Sequence, residues 1–283
     1  MTTTRTAGTA GANLITQILM WALPVLLLGF YVIPLLGVVS WSVTQPVAGL
    51  GNYARIVEGG DISSVFLRTL RISLISTVAT VLIGYCLSYY WVMGSRLRQT
   101  ILEICIFIPF WISVLVRAFG WLVILRDNGL ANGFLMATHL ISEPLGTGRN
   151  EFAVIVGMVH FMVPFSVFPM ATVMRKIDRR ILLAAHGLGA SPAVVFAKIF
   201  LPLSLPGVFA AFVMVLVFSV GFFVTPAILG GGRVVMVAEA VFVQMFQTTN
   251  WGLGAAMSVV LLALIGAVVA VAYRLLGVRS FVD

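Results

Sequence analysis

The sequence predicts an all-α integral membrane protein: six transmembrane helices, with a cytoplasmic helix-turn-helix loop between the fourth and fifth. Three observations carry this. Hydrophobic residues make up 61% of the chain and charged residues only 9%, whereas a soluble domain carries about 25% charged residues. Six apolar runs are long enough to cross a bilayer, which takes roughly 20 helical residues. One stretch, beginning at Arg175, interrupts the apolar pattern with a basic, helix-patterned segment far longer than a plain connection requires.

The runs are Ile18–Trp41, Thr69–Met93, Ile101–Leu125, Phe152–Met174, Leu203–Leu229 and Leu253–Leu276. The first exceeds a signal-peptide core and lacks a clear small-residue cleavage site, so it is kept as a span. The organisation is then a cytoplasmic tail over 1–17, a six-helix bundle over 18–276 that includes the loop 175–202, and a second cytoplasmic tail over 277–283. Prolines interrupt several spans: Pro24 and Pro34, Pro109, Pro164 and Pro169, Pro206 and Pro226. Each removes a backbone donor. Kinked helices suit a bundle that lines a pathway or moves, although proline is also common in membrane helices generally.

Basic residues at the span ends set the direction. With both termini cytoplasmic, the inside set is Arg5, Arg96, Arg98, Arg175, Lys176, Arg179, Arg180, Lys198, Arg274 and Arg279. The outside set is Arg55, Arg68, Arg71, Arg126, Arg149 and Arg233. The excess inside favours this orientation, and the loop carries five of the ten inside residues. The +8 formal charge is thus a topology signal and implies no nucleic-acid partner. Cys86 and Cys105 lie inside apolar runs and read as small buried hydrophobes.

Several chemistries lack sequence support. No GxxxxGK[ST] loop is present to cradle a nucleotide. His160 is the one histidine within a span, and no carboxylate or second histidine lies at i±3 or i±4 to form a metal pair. No GxSxG nucleophile pattern is found. The chain is therefore expected to have no catalytic residues, no metal site and no cofactor of its own.

The loop is legible residue by residue. Asp178 precedes the helix formers Arg179–Ala185 and is placed to cap them. Ile181, Leu182, Ala185 and Leu188 form a stripe. Gly187 and Gly189 loosen and end the first helix. Ser191 and Pro192 then begin a second, as N-cap and first helical residue, running towards Leu201-Pro202. The result is a compact knob with small residues at its apex; an amphipathic connector lying on the lipid surface is the simpler alternative.

"LLAAHGLGASPAVVFAKIFLPLSLPG" resembles the cytoplasmic EAA loop of ABC importer permeases. Ala184, Ala185, Gly189, Ile199, Leu201 and Pro202 match that pattern, while Leu183 stands where the family has glutamate. Three further segments resemble the spermidine/putrescine-type branch: "PFWISVLVRAFGWLVILRDNGLAN", "GMVHFMVPFSVFPM" and "GFFVTPAILGG". The resemblance implies a type I ABC importer permease in the plasma (bacterial inner) membrane. Its knob (Asp178, Ala184, Ala185, Gly187, Gly189, Ser191, Ile199, Leu201 and Pro202) would dock on a cytoplasmic ATPase dimer that uses ATP and magnesium. It also implies a second homologous permease, an external binding protein, and a small polar cargo such as a polyamine or a related amine or amino-acid-like compound.

Candidate pathway or gate residues are Tyr85, Phe110, Trp111, Arg117, Trp121, His160, Phe222 and Phe223. Arg117 is the one basic residue deep within a span. It lies about 24 Å above Ile101 if the helix is straight, and either snorkels to the outer interface or pairs across an outer gate. Glu103 is the one acid clearly inside a span. The expected conduit is therefore aromatic-flanked and weakly selective, with any strong acidic site supplied by the partner permease. Other readings are a six-span secondary transporter or channel, which should show coupling-ion ligands or an inverted repeat, and a membrane scaffold without transport.

Overall fold

The structure, a computed structural model, describes residues 7–276. The chain ends, Arg5, Arg279 and the tail 277–283 lie outside the described residues. Among the described residues the elements are helical throughout, and they are α1 (Ala7–Thr44), α2 (Gly51–Glu58), α3 (Gly60–Met93), α4 (Arg96–Trp111), α5 (Val114–Leu125), α6 (Leu130–Ala137), α7 (Glu151–Arg175), α8 (Arg179–Gly187), α9 (Pro192–Val195), α10 (Leu201–Val220), α11 (Val224–Gly230), α12 (Val237–Phe242) and α13 (Trp251–Leu276). Two π-turns, Phe196–Phe200 and Val243–Gln247, join α9 to α10 and extend α12.

The core is a three-helix packing of α3, α7 and α10. Helix α3 runs parallel to α7: Arg71 pairs with Glu151 at one end, the Ser88 hydroxyl donates to the Val167 carbonyl (3.3 Å), and Arg179 beyond the other end of α7 donates to the Val92 carbonyl (2.8 Å). Helix α10 runs antiparallel to both. Lipid tails offer no hydrophobic drive between helices, so close approach of backbones has to hold the bundle together. Small residues allow it. Ser73, Ser76, Thr77, Thr80, Gly84 and Ser88 are the buried face of α3. Gly84 lies against Ser166, Gly157 against Thr225 and Leu229, and Gly207 against Met170 and Val173. The Asn150 side chain caps α7 by accepting from the Ala153 amide (2.9 Å).

Around this core sits a belt of exposed large apolar side chains. Helix α1 belongs to it over Met20–Trp41: it packs on α13, and residues such as Phe30 and Ile33 are exposed. Such a surface is stable only in a hydrocarbon solvent. Cys86 and Cys105 are on this belt, exposed, contrary to the buried placement expected from their apolar neighbours. Hydrophobicity does not separate inside from outside when the solvent is lipid.

Two predicted spans are corrected. Ile101–Leu125 is not one straight helix, because α4 and the α5–α6 segment meet at 103°. Pro109 cannot donate within α4, Ile112 adopts extended backbone (ψ 136), and Ser113 is also non-helical (ψ 137) before α5 begins. The 24 Å straight-line placement of Arg117 falls with it. Leu203–Leu229 also divides: α10 stops at Val220, Gly221 turns out of the helix, and α11 restarts with Pro226 in its first turn, where no amide donor is needed. With the bent pair counted once, up to six spans remain. The α7 limits fall within one residue of the sequence reading, whereas α1 begins at Ala7 and α3 at Gly60, both earlier than predicted.

Candidate functional site: the coupling knob and the aromatic gate

The knob forms where α7 ends. Asp178 accepts from the Arg180 amide (2.9 Å) and caps α8. Its carboxylate is thereby committed to a backbone role at the first turn, a full helical turn from Leu183. Helix α8 closes in a Schellman motif. The Gly189 amide donates to the His186 carbonyl (2.9 Å) and the Ala190 amide to the Ala185 carbonyl (3.1 Å), with Gly189 at φ +85. Gly187 is the last helical residue and needs no unusual backbone. Ser191 takes the extended conformation of an N-cap, but its hydroxyl makes no capping bond; Pro192 opens α9.

Leu182 and Ile177 pack into the cluster at this end of the bundle. Leu183 (68% exposed) and Leu188 (89% exposed) project outward with Ala184. Of the predicted stripe, then, Leu182 packs on the bundle and Ala185 is half-buried, while Ile181 and Leu188 are exposed. A cleft of about 680 Å³ at the knob's base is lined by Gln99 and the basic run Arg175–Arg180.

The second loop helix does not stop at Leu201-Pro202, as the sequence reading had it. Helix α9 passes through the π-turn into α10 without a break, giving one helix from Pro192 to Val220. The Leu201 amide donates five residues back to the Phe196 carbonyl. This wider turn accommodates the ring of Pro202, which would clash in an ordinary helix. Ile199 and Leu201 are half-buried and Pro202 is exposed. Phe196 and Phe200 stack at 6.0 Å, Tyr89 meets both edge-on, and the Tyr85 hydroxyl hydrogen-bonds Ser204 (3.0 Å). Tyr85 thus ties the loop helix to α3 at the knob end.

The other candidate residues separate into those that meet and those that do not. The Arg117 guanidinium lies 4.4 Å over the Phe161 ring, and Phe161 contacts Phe222 (4.7 Å). Trp121 meets His160 edge-on at 5.7 Å. Arg117 Nε and Nη1 and His160 Nδ1 are buried without a hydrogen-bond partner. The half-buried Phe110 packs on Phe165, and Trp111 at the bend is 84% exposed on the bundle exterior. Phe223 points instead to Phe242, from which contacts continue to Phe246 and Trp251. Glu103, the acid expected in the membrane, accepts from the Trp91 indole (3.0 Å). Glu239 escaped the sequence reading because α12 follows the fifth run and is too short to span; an acid amid apolar residues with Phe242 and Phe246 after it was the available signal. The opposite end of the bundle carries a cleft lined by Arg126, Arg149 and Arg233, all from the predicted outside set.

Comparison with known proteins bears on this arrangement. Residues 76–281 match the family model described as the binding-protein-dependent transport system inner membrane component. The spermidine/putrescine transport system permease protein PotB of Escherichia coli (strain K12) is 30% identical over 233 residues, 82% of this chain and 84% of that protein. The Haemophilus influenzae PotB is 32% identical over 215 residues, 75% of this chain and 74% of the relative. A crystal structure of a bacterial ABC transporter involved in the import of the acidic polysaccharide alginate has the same fold, with a TM-score of 0.74 at 14% identity, covering 96% of this chain and 98% of that one.

Proposed function

The chain belongs to the binding-protein-dependent transport system inner membrane component family, and from that premise we propose that its cargo is a small amine of the polyamine type. It is the permease subunit of an ABC importer, a multi-pass inner-membrane component and not an enzyme; ATP use belongs to a separate component of such systems, and a periplasmic binding protein works with it. The two PotB relatives, named for spermidine and putrescine transport, support the cargo.

The observation that carries the finer reading is the knob. A cytoplasmic ATPase dimer, powered by ATP and magnesium, docks on Leu183, Ala184 and Leu188 at its exposed face. Where relatives of the resembled loop carry glutamate, Leu183 makes an apolar contact here, while the surrounding arginines and lysines meet acidic groups on the ATPase. Because α9 and α10 are one helix, movement of the knob reaches Val220 without a hinge. The first break in that helix is Gly221, next to Phe222, which contacts Phe161 beneath Arg117. ATP-driven motion therefore arrives at the aromatic gate. A second, homologous permease completes the pathway, and both termini of this chain are cytoplasmic.

The test is reconstitution of the permease pair with its ATPase and binding protein. ATP hydrolysis stimulated by binding protein loaded with spermidine or putrescine, with ATP-dependent uptake of the labelled amine, is the expected result. Stimulation by an amino-acid-like ligand alone would overturn the cargo, and uptake without ATP would overturn the importer mechanism.

A further inference from the structure

Among the described residues, one buried acidic atom has no partner: Glu239 Oε2. Glu239 is half-buried in the third position of α12, whose start is anchored to α3 by the Val237 amide donating to Thr69 Oγ1 (2.9 Å). An acid in the first turn of a helix ordinarily serves the free amides there. This one makes no such bond, and the helix has no side-chain cap. A carboxylate oxygen held out of water without a partner is costly, and acids at membrane depth normally pair with something. The other acid in an apolar helix, Glu103, has its indole donor; Glu239 has none.

What surrounds the rest of the segment indicates what that something is. Phe242 and Phe246 follow Glu239 at three and seven residues and are exposed (40% and 63%). Their rings lie 5.3 Å apart, Phe223 packs on the first at 5.3 Å, and Trp251 on the second at 5.6 Å. A carboxylate at the head of an aromatic ladder is a site for an organic ammonium, which takes one charge-assisted hydrogen bond and otherwise rests on ring faces. The bundle already shows this preference twice, since the Arg175 guanidinium sits over Trp91 and the Arg117 guanidinium over Phe161. Phe222 beside that ring and Phe223 beside Phe242 are consecutive residues at the Gly221 break, so the two cation-accepting surfaces meet at one point in the chain.

We propose that Glu239 with Phe242 and Phe246 forms a binding step for the ammonium group of the cargo, so that this chain supplies the carboxylate that sequence reasoning assigned to the partner permease. This rests on the amine-cargo reading and deepens it.

The experiment uses the complete reconstituted transporter and labelled spermidine. Glu239→Gln is expected to raise the KM for spermidine about tenfold, the equivalent of one charge-assisted hydrogen bond. If Gln at 239 prevents assembly, Glu239→Asp retains the charge but withdraws it by one methylene; its KM is expected to rise several-fold. An unchanged spermidine KM in the assembled variant overturns the proposal, including the case where only co-purification of the partner permease falls, which would make Glu239 an interface residue. A parent transporter that imports no amine overturns the cargo reading first, and this proposal with it.

Discussion

Valine at position 189 would have to adopt φ near +85, where a β-branched side chain is disfavoured by about 1–2 kcal/mol or more. No atom lies within 4 Å of the missing Cβ, so the cost is conformational and not steric. Gly189→Val is therefore expected to insert normally, yet to lose about tenfold in transport as the Schellman closure loosens. Gly189→Asn, which tolerates the left-handed region, should retain most activity. Transport assays beside membrane quantification separate the two, and a fully active Val variant would remove the knob from the coupling path. Arg117 is the second test at this scale. A desolvated cation over an aromatic ring contributes about 2 kcal/mol, so Arg117→Ala is expected to raise basal ATP hydrolysis several-fold by releasing Phe161 and Phe222. Unchanged transport and unchanged basal hydrolysis would leave the arginine only a snorkelling role. The sequence singled out Arg117 from its charge at depth. It could not reveal Phe161 as its seat, because that contact joins α5 to α7 across a bend.

Helix α3 meets α7 closely at Gly84. A Cβ there would fall 2.0 Å from Ser166 Oγ and 2.9 Å from its Cβ. Gly84→Ala is expected to lower the thermal midpoint in detergent, with an overpacking cost of about 1–3 kcal/mol. Adding Ser166→Gly should recover most of the loss, and additivity of the two changes would rule out this contact as the cause. Helix existence was legible from apolar length, as the close agreement of α7 shows. Helix continuity was not. Pro164 and Pro169 lie inside an unbroken α7, whereas Pro109 precedes a 103° turn. A proline removes one donor in either case. Whether the helix then breaks depends on whether its neighbours hold the axis straight, and α7 is gripped by α3 and α10 on both sides.

Across the whole molecule, the two ends of the bundle are distinct. Arg71 pairs with Glu151 at one end, where Arg126, Arg149 and Arg233 also gather, and the knob with its basic cleft occupies the other. Single cysteines at Ser191 and Thr147, in a background lacking Cys86 and Cys105, are expected to differ in intact cells: an impermeant thiol reagent should label position 147 and spare 191. The reverse pattern would invert the orientation. By itself the sequence determined the membrane as solvent, the apolar character of the spans, the basic loop and its Asp178 cap, because these follow from apolar run length, charge placement and local backbone preference. Only the tertiary structure decided which apolar residues face lipid, where α4 turns away from α5, and that the loop helix is continuous with α10. It also decided that Glu103 is satisfied by an indole while Glu239 is left without a partner. In a bilayer hydrophobicity does not mark the packed face of a helix; small residues mark it on α3, and elsewhere the choice is made by close approach between helices distant in sequence.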